Sequence, residues 1–516
     1  WEALPLLDLD QVEVVKGAAS SLYGSNALGG VVNLVTTPVG DRPETVVRTH
    51  ADWYDPPTRY EFAQRTLGSR GIMLQHSRRL GPIGARLALA RETSDGFEQN
   101  GQYGRWFLRA KVTAPPESAH PWDGYLMWSR NDAGDFLAWR SAAAPFEVDP
   151  PSLGDHSVYR FLLGGATFTP LARPTAVLRV SPSLNVNSNQ NYFAENQDHH
   201  RATRAGNTAE LSLFPAGGQT ITLGVDGAAT RVSSNFLGTP WLWDAAAFAQ
   251  DEVPLGRRVT GTLGARLDYH DTSEGADEAS LNPKLAVVWR AAGGLDLRAS
   301  VARGYRAASA IEQFVDAVQS GFRVIPNPAL HGEHAWAAEL GSAVRPWGRL
   351  GVDATAFWSE YRDLIGPSVV PDSFFVFQFR NVSRARVRGL DLAVRASLVP
   401  DRVDLDASYL YLSSKDLDTG LPLPYRSKHN LTGTLNLLRG LVGMDLRWRS
   451  RVDQVLAFPL DERGAITTVN LRLALPLFGA VLQAKASNLF NQVYPDVQER
   501  IPGAPRSLSL TVYAAR

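Results

Sequence analysis

Ten histidines, 52 acidic and 52 basic side chains are what this 516-residue chain offers for chemistry. No Gly-x-Ser-x-Gly elbow presents a nucleophile, and no His-Glu-x-x-His helix presents a metal pair. No Gly-Lys-Ser/Thr loop is there to cradle a nucleotide phosphate. The chain contains no cysteine, which excludes thiolate metal sites and disulfide staples. No catalytic residue, resident metal or cofactor is assigned, and an enzyme is not expected. A net charge of zero gives no reason to expect nucleic acid as a partner.

Two polar stretches could instead bind something. The first, Asn187 to Arg204, holds Asn191, Tyr192, Phe193, Asp198, His199, His200 and Arg201. The second, Arg91 to Trp106, holds Phe97, Tyr103, Arg105 and Trp106. Aromatic rings beside guanidinium groups could hold a flat anionic ligand. His199 and His200 could instead ligate haem iron. For any single residue of either stretch, a solvated loop is the plainer reading. The acids Asp271, Glu274 and Asp277 could bind calcium, but they lack the EF-hand spacing, so a solvated loop is the plainer reading.

The elements that must carry these residues have a period of two. In Thr260 to Tyr269, Leu263, Ala265, Leu267 and Tyr269 alternate with Thr262, Gly264, Arg266 and Asp268. In Gly389 to Leu398, Leu390, Leu392, Val394 and Ala396 alternate with Asp391, Ala393, Arg395 and Ser397. One apolar and one polar face is the pattern of a strand between two environments. Aromatics gather near strand ends, among them Trp241, Trp243, Trp358, Tyr361, Tyr409, Tyr411 and Tyr494. This suits interfacial girdles. Short turns, at Ala291 to Gly294 and Pro346 to Gly348, alternate with long polar segments. Those segments are Asn187 to Arg204, His270 to Ser280, Gly304 to Glu333 and Ser413 to Arg426.

No apolar run is long enough for a membrane-spanning helix, but a spanning strand needs only about 9–11 residues. The expected fold is all-β: a transmembrane antiparallel barrel of about 22 strands. Closure requires the first strand, Glu44 to Tyr54, to pair with the last, Pro505 to Ala515. A soluble sandwich or propeller would turn the apolar face to a core, and no propeller repeat is visible.

Near the start runs QVEVVKGAASSLYGSNALGGVVNLVT, Gln11 to Thr36. Its Gly17, Tyr23, Gly24, Gly29 and Gly30, followed by Val31 to Thr36, resemble the closing segment of the plug domain of TonB-dependent outer-membrane receptors. Further patches follow in that family's order. GYRAASAIEQF (Gly304 to Phe314) is similar to its Phe/Tyr-Arg-Ala-Pro box, with Ala308 in place of proline. NPALHGEHAWAAELG (Asn327 to Gly341), RNVSRARVRGLDLAV (Arg380 to Val394) and ASNLFNQVYPD (Ala486 to Asp496) resemble later barrel segments. The resemblance implies residues 1–40 as the C-terminal remnant of a plug and 41–516 as the barrel. It also implies an N-terminally incomplete receptor, with the TonB box and most of the plug outside this chain. Arg516 stands where such barrels commonly end on an aromatic residue, which points to a clipped or variant end.

By that resemblance the protein sits in the outer membrane of a Gram-negative-type bacterium, in contact with its lipid. It would import a scarce metal chelate, a ferric siderophore first, with cobalamin or haem as alternatives. Its partners would be TonB and the inner-membrane energising complex. No histidine lies between Arg306 and Asn327, where a haem receptor would be expected to carry one, so haem ranks below siderophore and cobalamin. Plug arginines of the family meet wall glutamates; here Lys16 would meet Glu339 and Asp391 as a latch. For a largely buried pair, losing one partner costs about 3–5 kcal/mol. The same three groups could also be solvated lumen charges. A passive pore is the rival class, and the plug-like segment speaks against it.

Overall fold

The computed structural model describes all residues except 1–7, 18–20, 22–23, 26, 57–59, 116, 137–139, 142, 195–196, 320–321, 372, 374–375, 453–463 and 498–500. Twenty-two antiparallel strands form one closed barrel. Glu44–Asp55 pairs with Arg506–Ala515, from Asp55 opposite Arg506 to Val46 opposite Ala515. The chain thus meets itself where the sequence places its first and last strands. Closure leaves no sheet edge in hydrocarbon, where an unpaired amide or carbonyl would find no water.

The wall is inverted relative to a water-soluble protein. Leu263 and Leu267 are 64% and 52% exposed, while the alternating Arg266 and Asp268 are buried. Only lipid outside and a polar interior make that arrangement favourable. Among the described residues no helix is long and apolar enough to cross a membrane.

Turns at one end are tight: Gly293 and Gly294 join Glu278–Ala292 to Leu295–Arg306, as the sequence indicates. The opposite end carries the longer connections, including residues 307–332. These hold a short helix, Ala310–Phe314, and a small hairpin, Ala317–Gln319 with Phe322–Ile325. Of these, Phe322–Ile325 adds in parallel to Val376–Val399.

Two segments read as long loops are not loops. Asn187 to Arg204 is mostly strand, in Ala176–Tyr192 and Gln197–Leu213. His270 to Ser280 shrinks to residues 273–277 between two strands. The strands rise beyond the apolar band, where both faces are wet, so the apolar alternation that marks a strand disappears.

Inside the barrel, Leu9–Lys16 and Gly30–Thr36 form a separate antiparallel hairpin. Gly30 has φ +142°, and an added Cβ would come 2.5 Å from the Val15 carbonyl oxygen, so glycine is required there.

Candidate functional site in the barrel lumen

Directly paired residues of an antiparallel ladder share a face, so register decides what looks inward. Near the open end one inward row runs Glu92, Arg105, Asn131, Tyr159, Asn189, His200, Ser234, each opposite the next. Tyr103 donates from its hydroxyl to Glu92 (2.6 Å), and Arg105 lies over the Tyr103 ring at 4.3 Å. Arg105 Nε also donates to Asn131 Oδ1 at 3.3 Å. This wall offers a cation, aromatic faces and amides to the lumen beside one carboxylate, Glu92, which accepts from Tyr103; such a set could hold an anionic, partly aromatic ligand at the Arg105 side.

Below it the hairpin crosses the lumen. At one end Asp8 accepts from Arg86 (2.7 Å at Nε, 2.6 Å at Nη2), and Arg109 Nη1 donates to the Asp8 carbonyl at 2.9 Å. The Arg86 and Asp8 side chains are only 5% and 2% exposed. Lys111 Nζ donates to Thr36 Oγ1 at 3.2 Å on the same side. At the other end, half a turn around the barrel, Lys16 donates to Asp391. Gly17 (φ +76°) adopts a left-handed conformation that favours glycine, and an added Cβ would meet the movable Glu339 carboxylate. Gly24 faces Arg266, which is held by Asp226 and Asp268 at 2.5 and 2.7 Å.

Above, the long connection is tied to the wall. Arg306 donates to both Glu312 oxygens at 2.9 Å and to Glu333 at 2.8 Å. Ser309 caps the helix Ala310–Phe314 in a capping box with Glu312. Burial alone would raise the Glu312 carboxyl, but hydrogen bonds from Arg306 and Ser309 outweigh it and hold the acid below the ordinary glutamate value. Asn381 clasps His331 through both its amide N–H and its carbonyl (2.9 and 3.1 Å to its backbone), and Asn327 reaches the Phe379 carbonyl at 2.8 Å.

The residues singled out from sequence divide. Tyr103 and Arg105 are in contact at one end of the inward row, whereas His200 lies on the same row four strands away, 3.9 Å from Asp198. Trp106, Tyr192, His199 and Arg201 are corrections: the ladder turns all four outward, with Tyr192 stacked on His156 at 4.7 Å. Adjacent strand residues point to opposite faces, so His199 and His200 do not converge on one iron. Phe193 lies in the turn between its two strands. Among the described residues no group of three or more metal-binding side chains occurs. Of the hairpin motif, Gly17, Gly24, Gly29 and Gly30 are described; Tyr23 lies outside the described residues.

Lys16 donates to Asp391, with Glu339 beside Gly17, but the largely buried setting expected for a latch is not what surrounds them. The Lys16 and Asp391 side chains are 68% and 20% exposed, so the appropriate scale is that of a solvated pair, about 0.2–1 kcal/mol. The buried anchor is Asp8–Arg86, which sequence reading missed. Asp8 precedes the recognisable motif, and Arg86 is one of many strand arginines. The inward parity of Arg86 within Ile83–Ser94 was the available signal.

Comparison with known proteins agrees with this architecture. A family model described as TonB dependent receptor-like, beta-barrel matches residues 33–489, and the TonB-dependent Receptor Plug Domain matches residues 1–31. The iron-regulated outer membrane virulence protein of Vibrio cholerae is 24% identical over 467 residues, covering 84% of this chain and 67% of its own. The ferric enterobactin receptor PfeA of Pseudomonas aeruginosa superposes with a TM-score of 0.81 at 17% identity. It covers 100% of this chain and 86% of its own. The siderophore receptor PiuA of Acinetobacter baumannii gives 0.79 at 14% identity, covering 99% and 87%. With the barrel family matched across most of its length, this chain belongs to the TonB-dependent receptors of the bacterial outer membrane.

Proposed function

We propose that this receptor takes up a ferric siderophore across the outer membrane, driven through TonB by the inner-membrane proton-motive machinery. The observation that carries the reading is the inward row of Arg105, Tyr159, Asn189 and His200, with Tyr103 beside it, above a hairpin tied to opposite walls. Arg105 among aromatic and amide groups, with the neighbouring Glu92 accepting from the Tyr103 hydroxyl, suits an anionic chelate. The names of the iron-regulated Vibrio relative and of the enterobactin receptor point to the same cargo class. In this reading residues 1–40 act as plug and 41–516 as barrel, and Lys16, Glu339 and Asp391 act as a weak latch beside the stronger Asp8–Arg86 anchor.

The test expresses the gene in a receptor-deficient host, with and without functional TonB. Uptake of labelled ferric siderophores, cobalamin and haem is measured. Saturable siderophore uptake that disappears without TonB is expected. Saturable uptake of cobalamin or haem instead would replace the cargo and keep the mechanism. Unsaturable uptake indifferent to TonB would make the protein a passive pore.

A further inference from the structure

The strand Ala176–Tyr192 carries a feature that its place in a barrel wall does not require. Its upper half reads LNVNSNQNY, Leu184 to Tyr192, with Asn185, Asn187, Asn189 and Asn191 at alternate positions. Alternate strand residues share a face, and Asn189 lies on the inward row, so all four amides face the lumen. They form a vertical column about 20 Å tall at ordinary strand rise, which crosses the row at Asn189. A lumen wall needs polar side chains, but threonine would supply them with a better strand propensity than asparagine, which strands avoid.

The column is flanked on both sides. Tyr159 stands opposite Asn189, and Phe161 opposite Asn187. On the other side Arg204, Ala202, His200 and Asp198 stand opposite Asn185, Asn187, Asn189 and Asn191. The short Ala202 side chain leaves space beside Asn187, which is exposed. The amides are partly spent on one another. Asn187 donates to Asn185 and Asn189 to Asn191, both at 2.7 Å, and Asn191 donates to Asp198 at 3.2 Å. Ser157 donates to Asn191 Oδ1 at 2.7 Å.

Two acceptors are left over at the upper end. Among the described residues no donor reaches Asn189 Oδ1 or Asp198 Oδ1, although both atoms are buried and Asn189 is only 6% exposed. A buried acceptor without a donor is costly. The amides of the column also hold N–H groups that seek acceptors. An ammonium only donates and a carboxylate only accepts, whereas a hydroxyl does both. Aromatic rings directly beside the amides add flat apolar faces. A sugar ring has both parts, hydroxyls on its rim and an apolar C–H face.

We propose that this column binds a saccharide group carried by the cargo. The sugar face lies on Phe161 and Tyr159, its hydroxyls bond the amides of Asn187 and Asn189, and one hydroxyl donates to Asp198. The proposal rests on the reading of the cargo as a ferric chelate and adds a second part to it. The chelate sits at Arg105, three strands or about 14 Å from the column, and the sugar reaches across.

The test purifies the receptor in lauryldimethylamine oxide, a detergent without sugar, beside the variant N187A/D198A. Each is titrated calorimetrically with ferric enterobactin, with ferric enterobactin glucosylated on two catechol rings, and with maltohexaose. Heat-modifiable gel migration reports the folded barrel. The wild type is expected to bind the glucosylated chelate at least about tenfold more tightly than the plain one, the scale of two net hydrogen bonds. The folded variant is expected to lose that preference. Equal or weaker binding of the glucosylated chelate by the wild type would overturn the column's role and leave the siderophore reading standing. A folded variant that kept the full preference would overturn it as well. If neither chelate binds, maltohexaose decides. Binding to the wild type at least about tenfold tighter than to the variant would keep the column and remove the siderophore reading, and no binding would overturn the column. If the variant does not fold, the comparison of the two chelates on the wild type decides.

Discussion

At the scale of single residues, Glu312 and Arg105 do different work. Glu312 is held as a carboxylate by Arg306 and Ser309, below its ordinary value despite burial. A carboxylate with a depressed folded value stabilises above its unfolded value, about pH 4.3, and that contribution is lost as pH falls through the folded value. The connection 307–332 is therefore expected to stay ordered from neutral pH to about pH 4–5 and to loosen below. The chain has no cysteine, so a spin label at Ile311→Cys, where Ile311 is exposed, reports this segment alone. Spectral mobility should rise on acidification, and Glu312→Gln should show raised mobility already at neutral pH. An unchanged spectrum in the variant would mean the clamp does not order the loop. Arg105 is expected to act on cargo instead. Arg105→Ala should weaken binding of an anionic chelate by about 1.5–3 kcal/mol, the scale of a charged hydrogen bond, as read by fluorescence quenching on the purified receptor.

At the scale of elements, the hairpin Leu9–Lys16/Gly30–Thr36 has two unequal attachments. Asp8→Ala leaves buried Arg86 with only Gln75 at 3.3 Å and the half-exposed Glu44 at 3.7 Å, which costs up to roughly 3–5 kcal/mol. Lys16→Met removes a solvated partner and should cost about 1 kcal/mol or less. A spin label at Val14→Cys, exposed within the lumen, should become more mobile with Asp8→Ala and change little with Lys16→Met. The reverse order would assign the main hold to the Lys16 end. These elements also explain what could be read from sequence. Period-two alternation located the strands wherever lipid lies on one side, as in Thr260 to Tyr269. It failed where both faces are wet, so Asn187 to Arg204 looked like a loop. That one error carried the site with it. Once those residues are strand, parity sends His200 inward and His199 and Arg201 outward, and neighbours in sequence stop being neighbours in function. Burial is equally hidden from sequence: Lys16 and Arg86 are both cations near acids, and only the fold makes one solvated and the other enclosed.

At the scale of the whole molecule, stability rests on closure. Each strand pairs on both sides, and the seam joins Glu44–Asp55 to Arg506–Ala515, far apart in sequence. Arg506 donates to Asp55 at 2.8 and 2.5 Å across the seam, and Thr45 exchanges backbone hydrogen bonds with Arg516 at 2.7 and 2.9 Å. The Asp55 and Arg506 side chains are 58% and 47% exposed, so this ion pair adds little to a register already set by the ladder and by the alternation of lipid-facing residues. The seam can be tested directly because the chain lacks cysteine. Thr49 and Val512 are paired and face outward, away from the hairpin. Directly opposed Cα atoms of an antiparallel ladder lie about 4.5–5.5 Å apart, within disulfide reach. Thr49→Cys with Val512→Cys is expected to cross-link on mild oxidation. The cross-linked chain, once heated in detergent, should migrate faster than its reduced form because it is cyclised. Thr49→Cys with Leu510→Cys, one pleat out of register, should cross-link far less. Equal cross-linking of the two pairs would mean that the seam slides, and a sliding seam would not hold the inward wall at fixed heights around the barrel.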